Sequence, residues 1–261
     1  MCGRATLAAN IDRLRQRFGA DPTRVAEDYV PQYNIAPSEG LVVVTNAEPE
    51  TMNVYEWGFL PEWADDPDDV PTPINARSET ASENPMFRDA FAHRRCLVLA
   101  DGFYEWQGSR GRKQPYRVCR EDREPFAFAG LWSHWRPDGD AATDGGVTDA
   151  TATRTTSTAE DRARTDGGTA ERWTTTILTT SANAVVEPIH DRMPVILEPD
   201  EEDAWLDGSP ADAAAVLDPH PPDPLEAYPV SARVNDPSND DESLLDAIDI
   251  GTQSGLDEFG T

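Results

Sequence analysis

The chain has 261 residues, enough to bury a sizeable core, and its 7 tryptophans, 8 phenylalanines and 6 tyrosines argue against a disordered acidic polymer. It carries 49 acidic against 22 basic residues, a formal net charge of -27, and this imbalance concerns solubility rather than fold. No run of 18 apolar residues occurs and no basic stretch leads into an apolar segment at the start, so neither a membrane span nor secretion is expected and a cytoplasmic location is.

Leu7, Ile11, Leu14 and Phe18 recur at helical spacing and stop at Gly19, which predicts a first amphipathic helix. Leu41 to Val44 and Val54 to Leu60 read as strands. Met86, Phe87, Ala90 and Phe91 predict a second short helix, and Cys96 to Ala100 a compact apolar strand that Asp101-Gly102 turns into Phe103-Tyr104-Glu105-Trp106. Two further strands are expected at Pro125 to Trp135 and Trp173 to Thr180. Between them, about residues 137–172 are rich in Thr, Ala, Asp and Gly and nearly free of large apolar side chains, the composition of a disordered insertion into a hairpin. An acidic first turn from Asp200 favours a helix around Trp205-Leu206, Pro219 to Pro224 forms a rigid connector, and Asp240 to Ile250 a last short helix or arm. Strands and short helices follow no βαβ rhythm, so the expected fold is α+β with a curved, partly closed mixed sheet. One domain over residues 1–250 is expected, with a flexible tail at 251–261.

Lys113 is the only lysine. An acidic, lysine-poor surface of this kind stays hydrated in concentrated salt and points to a halophilic archaeal source. At roughly 1 M salt the Debye length is about 3 Å, so the global charge does not exclude a polyanionic partner. Cys2, Cys96 and Cys119 show no CxxC spacing and the four histidines make no zinc-like pairing with them, so no metal or other cofactor is expected.

The opening Met1-Cys2-Gly3-Arg4 is the most reactive feature. If Met1 is removed, Cys2 carries an amine and a thiol on adjacent carbons, able to condense with an aldehyde and close a thiazolidine ring. An α-amine titrates near ~7.7–8.0, so much of it is the free base at neutral pH. Four further polar clusters border apolar elements: Tyr33-Asn34-Ile35-Ala36-Pro37, Pro73-Ile74-Asn75-Ala76-Arg77-Ser78-Glu79, Asp101 to Trp106, and Pro188-Ile189-His190-Asp191-Arg192-Met193-Pro194.

Together and in this order the five clusters resemble the SRAP family, the SOS-response-associated peptidase-like proteins that shield abasic sites in single-stranded DNA by covalent attachment. The likeness extends to Trp57-Gly58-Phe59-Leu60-Pro61-Glu62-Trp63, Tyr228-Pro229-Val230-Ser231 and Val234-Asn235, covering nearly the whole chain apart from the insertion and the last residues. It implies a curved mixed, partly barrel-like β-sheet core with flanking short helices. It also implies Cys2 as nucleophile, Glu105 as the acid/base that opens the sugar ring, His190 as an aid to Schiff-base chemistry, and Asn75 as an active-site hydrogen-bonding residue. Tyr104 and Trp106 flank Glu105 beside an apolar strand, and the imidazole of His190 sits in a loop bounded by prolines. Arg4, Arg77 and Arg192 lie within two residues of these candidates and suit phosphate contacts, with acid-pairing the rival for each. Trp63 and Met86 are candidates to stack on bases, with core packing equally open, and Asn34 has a modest claim to line the site.

The expected activity is a covalent crosslink between Cys2 and an abasic site, with weak lyase activity from the imine and a monomeric state. A cysteine peptidase using Cys2, His190 and Asn75 is the rival enzyme, with substantial self-processing disfavoured because only Met1 precedes Cys2. A non-enzymatic single-strand binder with an inert Cys2 is the third reading.

Overall fold

A computed structural model describes residues 2–108, 113–137 and 171–250. Expectations for residues 137–172 and 251–261 therefore fall almost wholly outside the described residues.

The core is a barrel closed by five strands. These are β3 (Gly40–Thr45), β4 (Glu48–Trp57), β6 (Arg95–Ala100), β9 (Phe126–Trp135) and β10 (Arg172–Ser181). Antiparallel pairings join β4 to β3, β3 to β6, β6 to β9 and β9 to β10, and a parallel pairing of Thr174 and Thr175 with Glu56 and Trp57 closes the ring. β9 and β10 pair from Trp135 opposite Arg172, so they form the two sides of an antiparallel ladder. Three short strands extend the barrel at its rims. β5 (Asn75–Arg77) runs parallel to β10, β11 (Arg192–Pro194) antiparallel to it, and β12 (Ile196–Leu197) pairs with β9. This is the α+β, barrel-like architecture expected, with few helices around a sheet-dominated core.

A second sheet lies across the barrel in the order β13 (Leu225–Pro229), β8 (Gln114–Arg120), β7 (Gly102–Gln107), β1 (Ala5–Leu7) and β2 (Gln32–Ile35). Phe103 of β7 packs edge-to-face on Phe128 of β9, their centroids 6.0 Å apart. Side chains alternate faces along a strand. Phe103 and Glu105 therefore share the face turned toward the barrel, while Tyr104 packs with Val230 and Val234 on the other.

Three expectations are corrected. Leu7 belongs to β1, and the first helix is α1 (Ile11–Phe18), because the Asn10 side chain caps it by accepting from Arg13 N and Gly19 ends it at φ 67. The strand expected to reach Leu60 stops at Trp57, where Gly58 has φ 151 and Phe59 N turns to Pro73 O. Asp101-Gly102 forms no hairpin. It carries the chain from β6 in the barrel to β7 in the second sheet, and the buried Asp101 carboxylate accepts from Ala8 N, Ala9 N and Thr6 Oγ1 at 2.5, 2.8 and 2.6 Å. α2 (Ser78–Ala81) is a single turn directly after β5, α3 (Arg88–His93) and α4 (Glu202–Asp207) stand where short helices were expected, and a 3₁₀ turn at Glu242–Leu245 serves the terminal arm.

Candidate active site

Cys2 enters the site because β1 holds it there. Ala5 pairs with Phe103 and Tyr104 N donates to Arg4 O at 3.0 Å, so the residues before Ala5 run alongside the Glu105 end of β7. Cys2 is fully buried. Asn75, carried on β5 opposite Ile177 of β10, donates Nδ2 to Cys2 O at 2.8 Å and so links the barrel to Cys2. Desolvation first, and then the neighbouring Glu105 carboxyl, push the Cys2 thiol well above its ordinary range. The sulfur is therefore held as S–H, pointing to Arg4 O at 3.7 Å.

Glu105 is buried beside Cys2 in the interior between the sheets. His190 stands in the turn between β10 and β11, a single helical turn capped by Asn183, whose Oδ1 accepts from Val185 N and Val186 N. Its Nδ1 accepts from Arg192 N at 3.0 Å and lies equally far from Asp191 Oδ1. One nitrogen cannot accept from the first and donate to the second in a single tautomer. Asp191 is 89% exposed, so the backbone donor fixes the ring and leaves the proton of the neutral form on Nε2. The turn is joined to β7 by Gln107, whose Nε2 donates to Pro188 O at 2.9 Å.

The structure thus brings Cys2, Asn75 and Glu105 together, while His190 stands in a turn tied to the same strand, β7, through Gln107. The arginines divide. Arg77 is exposed two residues along β5, on the same face as Asn75. Arg192 forms a two-pronged pair with Glu79 and donates to Thr179 O at 2.5 Å, so the acid-pairing alternative is the one observed. Arg4 is half-buried and reaches Asn235 O at 3.4 Å. Trp63 is 59% exposed, and with Met86, Phe59, Pro61 and Pro85 it lines one cleft. Phe59 in turn packs on Phe87 at 5.3 Å. Asn34 does not join the site. Its Nδ2 faces the carbonyls of Val234, Asp236 and Asn239 and fastens the C-terminal segment to the outer side of the second sheet. Gln107 and Asn235 are polar residues at the site's margin that sequence reasoning assigned no role, although both stand inside or next to motifs it singled out.

Among the described residues no three His, Cys, Asp or Glu side chains converge as metal ligands, and no helix is long and apolar enough to cross a membrane.

The model of the family described as SOS response associated peptidase (SRAP) matches residues 1–237. The abasic site processing protein YoqW of Bacillus subtilis is 34% identical over 253 residues, covering 95% of this chain and all of the relative. The abasic site processing protein YoaM of the same organism is 36% identical, covering 95% and 98%. Its counterpart YedK of Escherichia coli is 26% identical, covering 95% and 100%. These sources lend no support to a halophilic archaeal origin. A crystal structure of a Bacteroides thetaiotaomicron protein superposes with a TM-score of 0.76, covering 95% of this chain and all of that one at 24% identity, and shares the fold. The ordered motifs, the barrel and the matched span agree, and the chain belongs to the SRAP family.

Proposed function

We propose that the protein processes abasic sites in single-stranded DNA by forming a covalent bond through the mature N-terminus of Cys2. The observation that carries this reading is the Asn75 hydrogen bond to Cys2 O, which pins the N-terminal residue beside a buried carboxyl. Relatives at 34% and 36% identity bear the name abasic site processing protein, which supports the same substrate here.

The deoxyribose opens when Glu105 delivers a proton to the ring oxygen, the C1′–O bond breaks and the C1′ hydroxyl passes its proton to water, leaving the aldehyde. The Cys2 amine adds to C1′, and loss of water gives the imine. The thiol then adds across C=N, sulfur bonding to C1′ and its proton passing to nitrogen, which closes the thiazolidine. A thiol held protonated suits this order, because the amine is the first nucleophile and the S–H supplies the final proton. His190 serves the proton transfers of imine formation and release. Arg77 offers an exposed guanidinium to a phosphate beside the lesion, and Trp63 and Met86 an apolar surface for the adjoining bases. Arg192 can reach a phosphate only by exchanging Glu79 for it.

The imine also permits β-elimination, in which a C2′ proton is removed and the 3′ phosphate expelled. Slow lyase activity follows from that branch, and the protein acts as a cytoplasmic monomer without cofactor. Peptide hydrolysis by Cys2 is the weaker reading, because a buried S–H is a poor nucleophile toward an amide.

Intact mass after incubation with an abasic single-stranded oligonucleotide tests the proposal. Protein lacking Met1 should gain the mass of the DNA minus one water, and Cys2→Ala should form no heat-stable thiazolidine adduct. An undiminished adduct in Cys2→Ala refutes it. Glu105→Gln should slow crosslinking roughly 10²-fold, and an unchanged rate removes Glu105 from the mechanism.

A further inference from the structure

Gln107 ends β7 two residues beyond Glu105, and its side chain bridges two parts of the molecule. Nε2 donates to Pro188 O at 2.9 Å, while Oε1 accepts from Tyr116 Oη at 3.2 Å. Tyr116 lies on β8 directly opposite Glu105 in the β7–β8 register. The tyrosine hydroxyl therefore orients the amide, presenting its oxygen inward and its NH2 toward the loop. Pro188 lies two residues before His190, in the turn closed by Ile189 N and His190 N donating to Val186 O at 2.8 and 2.9 Å. A proline carries no N–H, so its carbonyl is the one backbone group through which the turn can be held at that point. The chain Tyr116, Gln107, Pro188 thus runs from the strand pair that carries Glu105 to the turn that carries His190.

We propose that Gln107 is a positioning residue that sets the distance between Glu105 and His190 by tying the end of β7 to the His190 turn. The inference rests on the reading above, in which those two side chains carry the proton transfers of ring opening and imine formation. Displacing a reacting group by about 1 Å can cost on the order of 10²-fold in rate. A loosened joint two residues away shifts the group by less, and a loss of roughly tenfold is expected.

Mature wild-type protein, its Met1 removal verified by mass, is compared with Gln107→Ala and Gln107→Glu. Crosslinking to an abasic single-stranded oligonucleotide is followed against protein concentration and pH. Both variants should melt cooperatively and reach half-saturation at the wild-type concentration, with the limiting rate lowered roughly tenfold at pH 7.5. The glutamate variant is isosteric but lacks a donor while ionised, and regains one on protonation, near pH ~4.3 for an unperturbed carboxyl. Its rate relative to wild type at the same pH should climb as pH falls from about 7.5 to about 4.5, while the alanine ratio stays flat. Should the alanine variant fail to fold, the pH-dependent recovery of the glutamate variant carries the test alone. A wild-type limiting rate in a folded variant, a flat glutamate ratio, or a changed half-saturation with an unchanged limiting rate overturns the inference. A wild-type protein that forms no adduct overturns the underlying reading instead.

Discussion

Two asparagines set side by side show how little a residue type says without its acceptors. Asn34 Nδ2 lies 3.3, 3.1 and 2.9 Å from three backbone carbonyls, 200, 202 and 205 positions away, and the residue is buried. Asn75 makes one such bond, to Cys2 O. Removing Asn34 leaves buried carbonyls without donors, whereas removing Asn75 frees only Cys2, the proposed nucleophile. Asn34→Ala should therefore cost about 2–3 kcal/mol in chemical denaturation, and at a temperature where it stays folded its crosslinking rate should match wild type within about twofold. Asn75→Ala should cost only about 1 kcal/mol yet slow crosslinking at least roughly tenfold. The opposite pattern would return Asn34 to the site and remove Asn75 from it. Arg192 carries the same lesson, since proximity to His190 in sequence suggested a phosphate ligand and the structure supplies Glu79 instead.

At the scale of elements, legibility followed length and apolar content. β3, β6, β9 and β10 were readable because each is a nearly unbroken buried run. β2, β5 and β11 are three or four residues long and built largely from the polar motifs themselves, and the three residues of β1 directly follow one, so they offered no period to read. The motifs thus pointed to a site while hiding the strands that assemble it. Nor could a single sequence show that Arg95 is buried inside the fold, where it donates to the carbonyls of Trp205, Leu206 and Gly208 and anchors α4 against β6. The barrel, expected only as a partly closed sheet, closes fully, and this depends on a close approach at Gly130, which pairs with Cys96 on one side and Ile177 on the other. A Cβ there would stand 2.6 Å from Val98 Cγ2, 2.9 Å from Cys96 Sγ and 3.2 Å from Thr176 O. Gly130→Ala should therefore destabilise the protein by about 1–3 kcal/mol, a denaturation midpoint well below wild type, despite the lower chain entropy that alanine confers on the unfolded state. A midpoint at or above wild type would mean that the barrel seam has room the structure does not show.

Across the whole molecule, charge outweighs any single contact. With 27 more carboxylates than basic side chains, most acidic groups have no cation available, even though Arg13, Arg24, Arg172 and Arg192 are all committed to pairs with glutamates. Exposed pairs of this kind each contribute at most about 1 kcal/mol. They cannot offset the mutual repulsion of the remainder, which acts over about 10 Å at 0.1 M salt and only about 3 Å at 1 M. The exposed run Asp65, Asp66, Asp68 and Asp69 lies just beyond Trp63, so the same repulsion opposes a DNA strand approaching the cleft. Two consequences should separate cleanly in KCl titrations. Stability should rise between about 0.1 and 2 M salt, and a gain of about 2–3 kcal/mol would lift Tm by roughly 5–10 °C in a domain of this size. DNA capture should respond less simply, because screening of the acidic surface favours approach while counterion release at the few arginine contacts opposes binding. Half-saturation in crosslinking should consequently pass through a minimum at intermediate salt, with the limiting rate following only the folded fraction. A Tm that is flat or falls with salt would show that the acidic surface costs this fold nothing, and a half-saturation that worsens steadily from the lowest salt would show that arginine contacts alone govern capture.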